Sequence, residues 1–374
     1  MSAPDVNLDF TEQAVFSLRA LYNRYGYTQY KMGKFEEYDL YARNKDFLIS
    51  DSVITFTDLN GKLMALKPDV TLSIVKNTTD RPEDLQKLYY NENVYRVSKG
   101  SRSFREITQV GLESLGRIDD YCILEVLLLA ARSLQCISPD AILDISHLGL
   151  LSRLIDSLGI RPEDKPKLLS CIGDKNLHDL ARLCRESGMA AGDLELLTGL
   201  VNLSGPINEV LPQIAVLLQG RADVATLSSF TRILSSLAGT DLAPMLRLDF
   251  SVVDDIHYYN GFVFKGFVDG LPVSILSGGQ YDKLMAKMGR RSGAIGFAVY
   301  MDQIGRLAKS PSEYDVDTVL LYNDDADLTA LYHTIDTLSA AGSVTARQQK
   351  PENIRYRRLL KLQGSEVAEL ENNA

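Results

Sequence analysis

The chain has 374 residues, 45% of them hydrophobic and 24% charged. That length can bury a sizeable core in two or three domains without disulfide or metal staples, and the hydrophobicity excludes disorder over most of it. With 40 basic residues against 49 acidic ones, the net charge is −9, so nothing in the total demands a nucleic-acid partner.

The opening MSAPDVNLDF has neither a basic start nor an apolar run, and predicts no targeting segment. Val15, Leu18, Leu21, Tyr22 and Tyr25 recur at helical spacing and Gly26 supplies a stop, so a helix comes first and a strand-like segment follows. VITFTDLNGKLMALKPD sets two apolar alternations around Asn60-Gly61. This predicts a hairpin whose two turn residues take positive φ, with Asp69 and Thr71 at its end. A second antiparallel pair is expected over 87–116, as LYYNENVYRV, a polar tip KGSRS, then FREITQVGLESLG.

From 118 to 137 the period turns helical. Its most apolar stretch, Cys122 to Ala131, carries Glu125 and is far too short to span a bilayer, so it reads as a buried helix. AILDISH resembles a short strand. Residues 149–240 are Leu-rich and helix-periodic, and predict a helical domain inserted into a sheet domain that comprises 1–148 and 241–309. Strands resume in MLRLDFSVVDD, YYNGFVFKGFV and LPVSILSGG. YDKLMAKMG is a helix, and GAIGFAVYMDQIGRLA a last strand running into one. Ser310 to Asp315 read as a linker, and 310–374 as a short α/β tail whose acidic end, GSEVAELENNA, is expected to fray. The order predicts an α+β fold built on an antiparallel sheet.

No phosphate loop or dinucleotide fingerprint occurs. Ser277-Gly278-Gly279 by itself reads as a tight turn between strand and helix. Cys122, Cys136, Cys171 and Cys184 have no metal-finger or redox spacing and are expected to be reduced core thiols of a cytoplasmic protein. His147, His178, His257 and His333 are dispersed and form no helical zinc pair, so neither a metal nor a cofactor is expected; His257 reads as structural.

The informative residues are polar ones inside strands that otherwise read as buried: Asp69 and Thr71, Gln109 and Glu113 (four apart, hence on one face), Tyr258, Tyr259 and Asn260, then Tyr281 and Asp282. Such a face is costly to bury unless something satisfies it. Carboxylates suit an ammonium group or an imidazole N–H, and phenols donate or accept. The alternative is that these residues are solvated or pair with one another. Arg96, Lys99, Arg102 and Arg105 surround the 98–103 loop and form a candidate phosphate or carboxylate site, or else a solvated loop. Arg290-Arg291 reads as surface.

Three segments carry a family resemblance: TFTDLNGKLMALKPDVT, YRVSKGSRSFREITQVGLESLG, and YYNGFVF followed by GGQYDKL and GAIGFAVYMDQI. Over most of 10–310, the helical insertion apart, the chain resembles the catalytic core of histidyl-tRNA synthetase, a class II synthetase. The resemblance implies an antiparallel sheet flanked by helices, in a dimer. Position by position, it implies that Asp69, Thr71 and Gln109 meet the histidine ammonium. Glu113 and Tyr259 then read the imidazole, Tyr258 lies beside them, and Tyr281 matches the tyrosine of the Gly-Gly-Arg-Tyr-Asp motif. Arg96 matches the motif 2 arginine that holds a phosphate.

The adenylation side departs from the family. Ser98 replaces a glutamate, Asp254 and Gln303 replace arginines, and Gly33 replaces the motif 1 proline. Lost phosphate-clamp charge usually costs orders of magnitude in rate. The tail resembles only the first part of an anticodon-binding domain. A histidine pocket kept beside adenylation machinery lost resembles the synthetase-like regulatory subunits of ATP phosphoribosyltransferase. That implies a non-catalytic protein that partners the short catalytic subunit in the first step of histidine biosynthesis, as a dimer within a hetero-octamer. Histidine would be its effector, and no tRNA or membrane would be bound. A divergent histidyl-tRNA synthetase, or an enzyme adenylating another substrate, is the alternative.

Overall fold

Asp9 starts the first helix, α1 (Phe10–Arg24): its carboxylate accepts from the Glu12 amide and the Glu12 carboxylate accepts from the Asp9 amide, a capping box. Leu18, Leu21 and Tyr22 form its buried face, and Gly26 ends it at φ 81°. Asp9→Ala should cost about 1 kcal/mol of stability, read as a lower urea midpoint at unchanged m-value. The molecule was obtained as a computed structural model, which describes residues 8–48, 53–97, 103–161, 163–221, 223–253, 258–307, 313–364 and 366–373. The chain divides into two units, 1–307 and 308–374.

In the first unit, strand β1 (Thr28–Gln29) precedes a small antiparallel sheet of β2 (Phe35–Glu37), β3 (Thr55–Thr57) and β4 (Leu63–Leu66), with α2 (Tyr38–Arg43) after β2. The β3–β4 hairpin occurs where Asn60-Gly61 predicts it, but its turn differs. Only Gly61 takes positive φ (79°), while the Asp58 carboxylate accepts from the amides of Asn60 and Lys62. The Asp58 cap lengthens the loop so that a single left-handed residue closes it. Asp69 and Thr71 do not end the hairpin in strand conformation. Asp69 is the N-cap of α3 (Val70–Asn77), accepting from the Leu72 amide at 2.9 Å.

The long pair β5 (Leu85–Val97) and β6 (Phe104–Gly116) is in antiparallel register over its whole length; the KGSRS tip, apart from Ser103, lies outside the described residues. Then come α4 (Asp120–Ile137) and β7 (Ala141–His147). Helices follow as α5 (Leu148–Ser157), α6 (Lys165–Gly173), α7 (Leu177–Glu186) and α8 (Ala191–Asn202). The short strand β8 (Ser204–Pro206) leads into α9 (Ile207–Leu218) and α10 (Val224–Ala238). The unit closes with β9 (Leu246–Asp249), β10 (Phe262–Val268), β11 (Leu276–Gln280), α11 (Asp282–Lys287), β12 (Gly293–Tyr300) and α12 (Met301–Ile304).

Among the described residues, nine strands form the main sheet in the order β1-β5-β6-β12-β11-β10-β7-β9-β8. β1 runs parallel to β5 and β9 parallel to β7; the other neighbours are antiparallel. Helices α1 and α4 are tied by the Tyr22 and Ser133 hydroxyls at 3.0 Å. Buried Glu125 on α4 is neutralised by Lys87 at 2.6 Å. The helical stretch 149–240 has no core of its own. Leu180, Leu197, Phe230 and Leu234 belong to the same buried cluster as Leu127 and Ile145, and β8 extends the main sheet.

In the second unit, β13 (Val316–Leu321), α13 (Leu328–Ser339), β14 (Val344–Arg347), β15 (Tyr356–Gln363) and β16 (Glu366–Asn372) form a sheet ordered β14-β13-β15-β16, with α13 packed on Leu320, Leu360 and Leu362. The acidic end, expected to fray, is strand β16. It pairs with β15, and Glu371 accepts from Lys350 and from the Tyr356 hydroxyl at 2.6 Å. An edge strand lets its carboxylates meet solvent and cations while the backbone pairs. All four cysteines are free, but Cys136 is exposed and Cys171 half-buried, since they sit on the outer sides of helices. Among the described residues, no helix is long and apolar enough to cross a membrane.

Candidate functional site

Strand period places a column of side chains on one face at the middle of the main sheet. On β6 these are Gln109, Gly111 and Glu113; their cross-strand partners on β12 are Tyr300, Ala298 and Gly296. Ser277 and Gly279 of β11 continue the face beyond Ala298 and Gly296, and Tyr90 of β5 lies opposite Gly111. Helix α3 brings Asp69 and Thr71 to this face, and the segment before β10 brings Tyr258 and Tyr259. Together they line one cavity, with Arg96, Tyr281 and Phe297.

Glu113 lines it and is 2% exposed. The Thr71 hydroxyl donates to one carboxylate oxygen at 2.8 Å and the Tyr281 hydroxyl to the other at 2.6 Å. Burial pushes its acid up to about 8; the two hydroxyls oppose that, and nearby Asp69 adds to it. Asp69 is also buried, and burial raises its acid above the usual carboxylate range against the Leu72 amide and the Arg96 charge. Burial raises the phenols of Tyr90, Tyr258 and Tyr281 well above the ordinary value, so they remain donors. The rings of Tyr258 and Tyr259 meet edge to face at 4.8 Å.

The backbone that carries this set is pinned. The Asn260 side chain donates to Asp282 at 3.0 Å, and the other Asp282 oxygen accepts from the Ala294 amide. The Gln280 side-chain oxygen accepts from the Phe262 amide at 2.8 Å. Two buried acids facing phenols and one guanidinium can hold a small molecule that carries N–H donors, a positive charge and a carboxylate. Each carboxylate has about four lone-pair positions, so Glu113 can accept from a ligand N–H while keeping both hydroxyl donors. Among the described residues, no cluster of His, Cys, Asp and Glu suits a metal ion.

All seven residues expected to contact histidine line this one cavity: Asp69, Thr71, Gln109, Glu113, Tyr258, Tyr259 and Tyr281. Arg96 lines it too, with its Nε donating to the Pro68 carbonyl at 3.0 Å. Arg105, its cross-strand partner, is exposed and does not line the cavity. Tyr258, Tyr259 and Asn260 do not open a strand; β10 starts at Phe262. Ser277-Gly278-Gly279 is not a turn but the middle of β11, where a Cβ on Gly278 would lie 2.4 Å from the Gly296 carbonyl oxygen. Gln303 is on α12 with its side-chain oxygen buried, outside the cavity lining. Ser98, Lys99, Arg102, Asp254 and His257 lie outside the described residues. Sequence reasoning missed Tyr90, Ser277, Gly296 and Tyr300. The signal was available for Gly296 and Tyr300, since GAIGFAVY places them, with Ala298, on one face of a strand.

A family model described as Histidyl-tRNA synthetase matches residues 7–304. A Clostridium kluyveri protein named ATP phosphoribosyltransferase regulatory subunit is 28% identical over 87% of this chain and 86% of its own length. A Bacillus halodurans structure described as an ATP phosphoribosyltransferase regulatory subunit/histidyl-tRNA synthetase superposes with a TM-score of 0.74 at 21% identity, covering 90% of this chain and 88% of that one. A chain of the Thermotoga maritima ATP phosphoribosyl transferase (HisG:HisZ) complex superposes with a TM-score of 0.60 at 20% identity, covering 79% and 98%.

Proposed function

The chain belongs to the histidyl-tRNA synthetase family, and from that premise we propose that it is a regulatory subunit of ATP phosphoribosyltransferase, without aminoacylation activity of its own, whose cavity binds free histidine. The observation that carries this reading is the assembly of two buried acids and their phenol partners in one cavity; the resemblance adds that Asp254 and Gln303 stand at arginine positions of the adenylation machinery. A charge reversal at Asp254 opposes an anionic transition state. The Clostridium kluyveri relative and the Thermotoga maritima complex support a catalytic subunit as the partner.

In the bound state Asp69, Thr71 and Gln109 take the ammonium group, and Glu113 and Tyr259 the imidazole. Tyr281 holds Glu113 in place, Tyr258 walls the ring, and Arg96 meets the carboxylate. The chain acts as a dimer within a hetero-octamer in the cytoplasm, and takes no tRNA. Histidine shifts the partner's activity only if it binds the active and inhibited assemblies differently, and the coupling is reciprocal.

The test is the rate of a short-form ATP phosphoribosyltransferase catalytic subunit with and without this chain, across a histidine titration. Activation that histidine reverses is expected, with the two proteins co-eluting. No change in rate and no co-elution would overturn the reading, and histidine-dependent ATP–pyrophosphate exchange would replace it with a synthetase.

A further inference from the structure

Among the lining residues with no part in that reading are two that meet across adjacent strands, Ser277 on β11 and Tyr300 on β12. The floor of the cavity along β12 runs Gly296, Ala298, Tyr300, side by side with Glu113, Gly111 and Gln109 on β6. The first two floor residues are small. At Gly296 an added Cβ would lie 1.8 Å from a Glu113 oxygen, so that end of the floor is in contact with the acid itself. Four residues along, roughly 13 Å at strand rise, the floor ends in a phenol.

Tyr300 is held from two sides. Its hydroxyl lies 2.6 Å from the Ser277 hydroxyl, and its amide donates to the Ile275 carbonyl at 2.8 Å. Ser277 is itself the cross-strand partner of Ala298, so the bond reaches diagonally between adjacent central strands of the sheet.

The reading above orients the ligand. With its ring at Glu113 and its ammonium at Asp69 and Gln109, an amino acid has its carboxylate at the Gln109 end, where Arg96 also lines the cavity. Tyr300 is the cross-strand partner of Gln109. A group joined to that carboxylate through an anhydride or ester needs further room at this end of the floor, where the Tyr300 side chain, rooted opposite Gln109, reaches across to Ser277. A free carboxylate has to go no further.

We infer that Tyr300, braced by Ser277, is the specificity-determining wall of the cavity: it admits a free amino acid and excludes the same amino acid carried as an adenylate. The inference rests on the proposed histidine pocket and extends it. The loss of adenylation is then built into the floor of the site as well as into the missing arginines.

The test is calorimetry on the full chain with two probes, L-histidine and the stable adenylate analogue in which a sulfamoyl group joins histidine to adenosine. The wild-type chain should bind histidine at least about tenfold more tightly than the analogue. Tyr300→Ala should move the ratio of the two affinities at least about tenfold toward the analogue, whereas Tyr300→Phe, which keeps the ring, should hold it within about threefold. If the alanine variant does not fold, Tyr300→Val keeps a strand-forming residue and removes the ring. Equal binding of both probes by the wild type would overturn the wall while leaving the histidine pocket standing, as would an unchanged ratio in a folded small-residue variant. Absence of histidine binding by the wild type would overturn the pocket itself, and this inference with it.

Discussion

Substituting Gly296 by alanine should lower histidine affinity by more than about a hundredfold and cost about 1–3 kcal/mol of stability from overpacking. The reason is spatial. A Cβ there would lie 1.8 Å from a Glu113 oxygen and 2.4 Å from the Leu112 carbonyl oxygen. Neither neighbour can yield cheaply, because the Glu113 carboxylate is held at both oxygens by Thr71 and Tyr281, and the Leu112 carbonyl is part of the central sheet. Relief requires β12 to move off β6 or Glu113 to leave its partners, and either change dismantles the cavity. Calorimetry with histidine and urea unfolding read the two parts separately. Retention of wild-type affinity in Gly296→Ala would place the ligand elsewhere.

Glu113→Ala should weaken histidine binding by about 1–3 kcal/mol, roughly 5- to 150-fold, by leaving a buried imidazole N–H without an acceptor. Unchanged affinity in calorimetry would sink the assignment. The same residue sets a pH dependence in the empty chain. Burial moves its acid from the ordinary 4.5 to about 8 in the folded state, so folding favours the protonated form. The stability Glu113 contributes is complete below about pH 4.5, falls as pH rises, and is gone above about pH 8. Asp69, raised in the same direction by burial, adds to the trend. Glu113→Gln is neutral at every pH. Its stability relative to the wild type should therefore rise in its favour between pH 5 and pH 8. Urea unfolding at those two values checks this, and parallel behaviour of the two chains would contradict it.

Much of the site could be read from residue order because strand period is a local property. Gln109 and Glu113 had to share a face once 104–116 was a strand, and the cavity uses that face. Asp69 and Thr71 were legible as polar residues in a buried setting, but their helix was not. The run after Asp69 is apolar enough to pass for strand, and the capping aspartate was the unused signal. The hairpin at Asn60-Gly61 was legible as a hairpin; its turn type depended on the Asp58 side chain capping the loop.

What the sequence by itself determined about this protein is the order of its elements and the residues polar enough to need partners in a buried sheet. These follow from period, composition and motif spacing, which act over a few residues. Only the tertiary structure decided that Thr71 and Tyr281 take the two oxygens of Glu113, that 149–240 shares the sheet's core, that the acidic end pairs as an edge strand, and that Tyr300 closes the floor against Ser277. Each of those depends on which strand lies beside which. That choice is set by the burial of apolar surface across the whole unit, summed over residues far apart in the chain.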